Sequence, residues 1–435
     1  MVRGVLPEDA HPIRRMADGT VKQTNPFSGT TVWTIPGRAN RPLSGAAGEP
    51  APIDHGMAGR HCAFCSDRYL ETPPERMRSV GGRSEHGLPA PLVVAAPADF
   101  RVVPNLFQIL GFSYWRENYG YAVPPDGVEH ASRYLADELG REHLLSIART
   151  RAVAGGMSAE EFAALPDTEQ LEGGLSYFGS CHDLVIPRRH FVDGAQLANE
   201  LAGSGTMTPE EHGEYTRVTL EAAAALYTGN VFAAQVAVFQ NWLAPAGASF
   251  DHLHKQLVAV DELGTGLRRE IERVRQNPFI YNDFGVAYAR AEGLIIAENE
   301  HAIAIAGYGH RFPSLEVYSK SAAPSPFQMS AAEVRGWSDL LHACHVAAGV
   351  GVPCNEEWHY RPPGMDVSMP LRVVIKWRIS TLAGFEGGTK INVNTIDPWT
   401  MRDRAVAALE QAAAEGRIAS MTLGDACPAE PLRYI

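Results

Sequence analysis

The 435-residue chain has no apolar run near the roughly 18 residues of a membrane-spanning helix. Its first fifteen residues, Met1 to Arg15, are polar and lack the apolar centre of a secretory signal. Cysteine is scarce. Six thiols in a chain of this size do not make the disulfide framework of a secreted protein. An excess of positive charge is missing too: the formal net charge is −12, where a general nucleic-acid binder would be basic. Membrane and nucleic acid are therefore not expected as partners, and a cytoplasmic location is expected. What remains is a globular composition, 45% hydrophobic and 20% charged, in a chain long enough for two domains.

The most informative stretch runs from Asn241 to Ala259. The apolar segment 231–239 leads in, and the small-residue turn Ala246-Gly247-Ala248-Ser249 follows. Then comes His252-x-His254-x-Gln256. In a strand, side chains repeat with period two, so His252, His254 and Gln256 are expected on one face. Two imidazoles and an amide on one face suit metal binding or nucleophilic chemistry. Upstream, Cys62 and Cys65 form a CxxC, which reads as a redox pair, half a zinc site or chance. There is no second CxxC, so any metal needs distant ligands.

Residues 1–24 are expected to form a poorly ordered start, followed by a turn and an edge strand over 25–35. Helices are expected over 128–150, 157–165, 196–201, 209–227, 264–276 and 331–348. Thr208, with Glu211 three residues on, reads as an N-cap. Residues 294–306 read as two strands around a polar turn, and 371–379 as a strand carrying Arg372, Lys376 and Arg378 on one face. Three cations on one strand face are either solvated or bind an anion. The order strand, Pro-rich turn, strand, helix occurs in both halves, a weak internal duplication.

Asn241, the Ala-Gly-Ala-Ser turn and the HxHxQ run together resemble the active-site segment of the galactose-1-phosphate uridylyltransferase family. That family belongs to the histidine-triad superfamily, and the likeness extends to its ADP-sugar and dinucleoside-polyphosphate phosphorylase branch. Further matching pieces are Arg38-x-x-Arg41-Pro42, Pro104-Asn105, a Pro-x-His-like Pro187 to His190, and Ala383-Gly384-Phe385-Glu386-x-Gly388-Thr389. The likeness covers roughly 25–107, 179–260 and 294–400. Residues 111–174 match nothing in the family and read as an insertion, a cap or a dimer contact.

The resemblance implies an α+β fold of two histidine-triad-like halves, 1–265 and 266–435, each a mostly antiparallel sheet with helices, in a homodimer. It implies that His254 is the nucleophile that takes a nucleotide from a nucleoside diphosphate sugar, with UDP-hexose preferred, and passes it to a sugar 1-phosphate. Gln256 would meet the phosphoryl oxygens. Gly247, Ala248 and Ser249 would offer backbone N–H groups and a hydroxyl, and Arg38, Arg41, Asn105 and Asn241 would also bind substrate. Cys62, Cys65, His190 and His252 would hold Zn²⁺, with His182 the alternative third ligand because the spacing before His190 departs from the pattern. Where the family carries a second HxH, this chain has Pro370, Arg372 and Val374, so no second metal is expected. The rival activities are an ADP-sugar or dinucleoside-polyphosphate phosphorylase and, from another class, a nucleotide-binding sensor without turnover.

Overall fold

Alternating half-buried strands and capped amphipathic helices in this chain assemble around one large sheet. The computed structural model describes residues 11–37, 49–380 and 383–435. In chain order its strands are β1 (Ile13–Arg15), β2 (Val21–Thr24), β3 (Thr31–Thr34), β4 (Met77–Val80), β5 (Arg83–His86), β6 (Phe100–Pro104), β7 (His182–Pro187), β8 (Gln235–Trp242), β9 (Lys255–Val260), β10 (Ile295–Glu298), β11 (Ala302–Gly307), β12 (Ser314–Ser319), β13 (Cys354–His359), β14 (Arg372–Trp377), β15 (Ile391–Asn394) and β16 (Thr422–Leu423). Twelve of them form an antiparallel sheet in the order β16-β10-β11-β12-β14-β13-β8-β9-β7-β6-β4-β5. The order is the same outward from its centre: β8-β9-β7-β6 on one side, β13-β14-β12-β11 on the other. The seam is β8 against β13, with Asn241 opposite Asn355 and Gln240 opposite Glu356. The fold is α+β, as the resemblance implies.

One face of the sheet is closed by the helices Pro209–Gly229 and Ala331–Ala348, which pack on each other and on the strands of their own halves. Both start with a capping box, Thr208 with Glu211 and Ser330 with Glu333, which satisfies N–H groups that a helix start leaves unpaired. Strand β8 shows why the sheet has two different faces. Val236, Val238, Gln240 and Trp242 are buried, while Gln235, Ala237, Phe239 and Asn241 alternate with them and are half-buried on the other side. That second face carries the site. Among the described residues no helix is long and apolar enough to cross a membrane.

Four expectations need correction. Residues 13–24 are not a loose start, nor is β3 an edge strand: β1 and β2 join β3 and β15 in a four-stranded sheet in which β3 is paired on both sides, with Val21 and Gln23 buried. Residues 196–201 are not a helix. The Glu200 carboxylate accepts the Gln196 and Leu197 N–H groups, and Leu197 and Leu201 form isolated bridges to Pro52 and Phe191. A six-residue segment has too little helix to outweigh such contacts. The stretch 128–150 is two helices, Pro125–Leu135 and Glu138–Ala154, because the Asp137 side chain caps the second.

Candidate functional site

The site is built on the turn between β8 and β9. Leu243 adopts φ 65 and Gly247 φ 92, a left-handed conformation that favours glycine. Gly247 N–H donates to Ala244 O and Ala248 N–H to Leu243 O, so both groups are used inside the turn. Of the three small residues expected to face phosphates, Ser249 alone keeps its N–H and hydroxyl without a partner among the described residues.

The histidines do not lie within a strand. Strand β9 begins at Lys255, which pairs with Gln240 and Val185, and only Gln256 of the motif sits in the ladder, opposite Phe239 and Leu184. His252 is turned out of register because its Nε2 donates to Pro187 O at 2.7 Å. His254 Nδ1 donates to His252 O at 2.9 Å, a local bond that holds the loop ahead of the strand.

Turning out brings His252 to the CxxC. Cys62 Sγ lies 3.7 Å from Cys65 Sγ and 3.5 Å from each of His190 Nδ1 and His252 Nδ1. Cys65 Sγ is 3.5 Å from His190 Nδ1 and 3.8 Å from His252 Nδ1. Bonds of about 2.3 Å to sulfur and 2.0–2.1 Å to nitrogen, set tetrahedrally, need edges of roughly 3.4–3.8 Å. The four residues can therefore hold a metal ion. The two thiols act as a pair: hydrogen bonding from Cys62, with His190 and His252, holds Cys65 far below its ordinary range, while the bond to Cys65 and burial push Cys62 up, so without a metal one of the two keeps its proton. His182, the alternative ligand, stands elsewhere.

His182 instead positions Gln256. Its Nδ1 accepts the Ile109 N–H at 3.2 Å, so the proton sits on Nε2 and is donated to Gln256 Oε1 at 3.2 Å. That bond turns the Gln256 amide nitrogen away from His182. Burial lowers the His182 pKa to about 4, so it is neutral at pH 7. Asn105 stands beside it, its Nδ2 3.2 Å from His182 Nε2 and its Oδ1 accepting the Phe107 N–H.

His254 is 4% exposed and packs edge-on to Phe64, ring centroids 5.3 Å apart. Burial lowers its pKa, and the bond to His252 O places its proton on Nδ1. Its Nε2 thus carries a free lone pair and has no partner among the described residues. Asn241 is oriented by Asn355, whose Nδ2 donates to Asn241 Oδ1 at 2.7 Å and to Ala246 O at 2.8 Å. Sequence reasoning missed Asn355; the only signal was its place in β13, the strand that pairs with β8 across the centre of the sheet. From Asn241 a cavity of about 1130 Å³ opens over β13 and β14, and Arg372, Lys376 and Arg378 line it from one strand face as expected. Arg38 and Arg41 lie outside the described residues.

The fold is similar to that of an ADP-glucose phosphorylase from Arabidopsis thaliana with bound ADP-glucose, at TM-score 0.58 and 17% identity over 89% of this chain and 98% of that one. It is also similar to a galt-like protein from Arabidopsis thaliana, at TM-score 0.55 and 16% identity over 88% of this chain and 98% of that one. At the level of fold, the resemblance to the uridylyltransferase family is borne out. No curated protein matches the chain. The family model described as Domain of unknown function (DUF4921) matches residues 16–434, and the chain belongs to that family.

Proposed function

We propose that this protein is a nucleotidyltransferase that works through a nucleotidyl-histidine on His254. The observation that carries this reading is the His254 ring: a proton on Nδ1, a carbonyl to receive it, and a free Nε2. Nε2 attacks the α-phosphorus of a nucleoside diphosphate sugar. The bond from that phosphorus to the bridging oxygen breaks, and the sugar 1-phosphate leaves. A phosphate oxygen of the acceptor then attacks the same phosphorus and frees the imidazole, so the kinetics are ping-pong. The intermediate carries a positive ring, which His252 O stabilises through Nδ1–H. The outward Gln256 amide and the free Ser249 groups can donate to the phosphoryl oxygens. Zn²⁺ held by Cys62, Cys65, His190 and His252 would be structural. It would fix the loop whose carbonyl orients the nucleophile.

We read UDP-hexose and a sugar 1-phosphate as the substrates, in a homodimer of chains with halves 1–265 and 266–435. One observation favours a second reading, an ADP-sugar phosphorylase with orthophosphate as acceptor: the fold matches a phosphorylase whose structure contains ADP-glucose over 98% of that chain. Incubation with UDP-glucose and ADP-glucose, each labelled in the α-phosphate, tests both. Acid-labile, base-stable label should appear on His254 from one donor, vanish in His254→Ala, and form more slowly in Gln256→Ala. His252→Ala should lose metal before it loses all labelling. Label on another residue, or full turnover by His254→Ala, would overturn the mechanism. No label from either donor would leave the sensor reading standing.

A further inference from the structure

The cavity beside Asn241 has an unbalanced lining. Three carboxylates reach it against six cations; two of the three are paired to cations and the third caps a backbone N–H. Glu270 accepts from Arg372 at 2.7 Å and Tyr281 at 2.9 Å, Glu357 from Lys376 at 2.6 Å, and Glu386 from the Ala383 N–H at 3.0 Å. Four lining cations, Arg269, Arg311, Arg378 and Lys390, meet no carboxylate within 4.0 Å among the described residues. The chain as a whole carries −12, so this surplus of positive charge runs against its surroundings.

Two of the four share a neighbour. The Arg311 and Arg378 guanidiniums both lie against the Phe312 ring, 5.3 Å and 4.6 Å from its centroid. Each is the other's like-charged neighbour, and an anion between them would relieve that repulsion. Partial burial and then the neighbouring Arg378 lower the Arg311 pKa, outweighing the more weakly acting Glu386 and Glu357 carboxylates. Arg378 is aimed by Asn355, whose Oδ1 accepts its Nη1 at 2.7 Å, while its Nε is buried with no acceptor among the described residues. Buried donors are rarely left without an acceptor, and a ligand is one way to supply it.

We propose that Arg311 and Arg378 form an anion subsite and that this cavity binds a phosphate monoester dianion. Paired guanidinium forks match the oxygens of a phosphate. The space exceeds what a phosphate needs and admits an attached sugar, whose hydroxyls would meet Asn241 and Asn392 on the same wall. Binding here proceeds without transfer. In the sheet order β14 is the counterpart of β9, and Pro370, Arg372 and Val374, which stand where the family resemblance would put a second HxH, include no histidine. The Arg372 guanidinium is itself committed to Glu270 and Glu316, at 2.7 and 3.0 Å. The cavity shares Asn241 with the transfer site, and the His254 and arginine variants separate this binding event from the transfer reaction.

Isothermal titration calorimetry on the full chain, with glucose 1-phosphate and with inorganic phosphate, tests it. At least one probe should bind wild type, bind more weakly at high salt, and bind His254→Ala within about twofold of wild type. Arg311→Gln and Arg378→Gln should each weaken that probe at least about tenfold, the loss of one charge-assisted contact. Arg311 is exposed, so its variant should fold even if Arg378→Gln does not; melting temperature checks both. Arg268→Gln, an exposed arginine paired with Glu262, should change nothing. Binding of inorganic phosphate alone identifies the phosphate as sufficient; binding of glucose 1-phosphate alone identifies the monoester with its sugar. No binding of either probe, or unchanged affinity in both arginine variants, would overturn the subsite. Affinity lost in His254→Ala but kept in the arginine variants would overturn it while leaving the transfer site intact.

Discussion

Glu356→Gln should be among the most damaging isosteric substitutions in this chain. Glu356 on β13 and Lys255 on β9 are both fully buried and lie 2.6 Å apart across β8, the strand between them. Glu356 also accepts from His345 Nε2 at 2.7 Å and from Trp358 Nε1. Burial raises its pKa, but Lys255 and His345 outweigh burial and hold it well below 4.5. Gln keeps the shape and removes the charge. Lys255 would then be left with Gln240 Oε1 at 3.2 Å and the face of Tyr215 at 4.7 Å, neither of which neutralises it. Breaking a buried pair from one side costs about 3–5 kcal/mol, a large share of the roughly 5–15 kcal/mol that holds a typical domain together. Urea denaturation at pH 7 measures the loss. Lys255→Met with Glu356→Gln should recover most of it, because the stranded charge is then gone. The sign of the pH dependence follows from the depressed pKa. The contribution of Glu356 is complete above about pH 4.5 and is lost as pH falls, so the gap between wild type and variant should narrow in acid. A loss below about 1 kcal/mol, or a double variant no more stable than the single one, would refute the argument.

How much of this was legible depended on whether the partner was near in sequence or was carried by the resemblance. The helix start at Thr208 was readable because Glu211, the other half of its capping box, is three residues away. The metal cluster was readable as a set although Cys62 and His252 are 190 residues apart, because the family pattern supplied the ligands. The extra residue before His190 falls after β7 ends at Pro187, where chain length is free to vary. Strands β1 and β2 were not readable: they are short and polar, and their sheet is completed by β15, hundreds of residues later. The strand assignment of the HxH failed because His252 is drawn away by Pro187 O and the cysteines, contacts that period-two reasoning cannot see. The fate of the Gly247 and Ala248 N–H groups turned on the backbone of Leu243, whose φ of 65 no residue type announces. Asn355 and Glu356 were invisible for the same reason as the seam itself, a pairing set by the whole topology.

The cluster of Cys62, Cys65, His190 and His252 should carry about one zinc per chain by elemental analysis, and Cys62→Ser should lose metal and melting temperature together. Metal-free protein with an unchanged melting temperature would sink that reading. His130, His143, His182 and His342 are each held by burial at about 4 against an ordinary 6.5. The unfolded chain therefore binds more protons in that window, and melting temperature should fall steadily from pH 7 to pH 5; a flat profile would contradict it. The last prediction concerns Asn355→Ala. Asn355 donates to Asn241 Oδ1 and Ala246 O and accepts from Arg378, so one amide ties the nucleophile turn to the cationic wall. Removing it leaves those groups to find water in a half-buried site, at roughly 1–3 kcal/mol. Transfer should slow by about tenfold or more if Asn241 and the turn act on bound phosphate, while metal content stays as in wild type, since no cluster residue touches Asn355. Asn355→Asp keeps an acceptor for Arg378 but cannot donate to Asn241 or Ala246, so it should restore little. Wild-type labelling rates in both variants would show that the second half does not position the nucleophile turn.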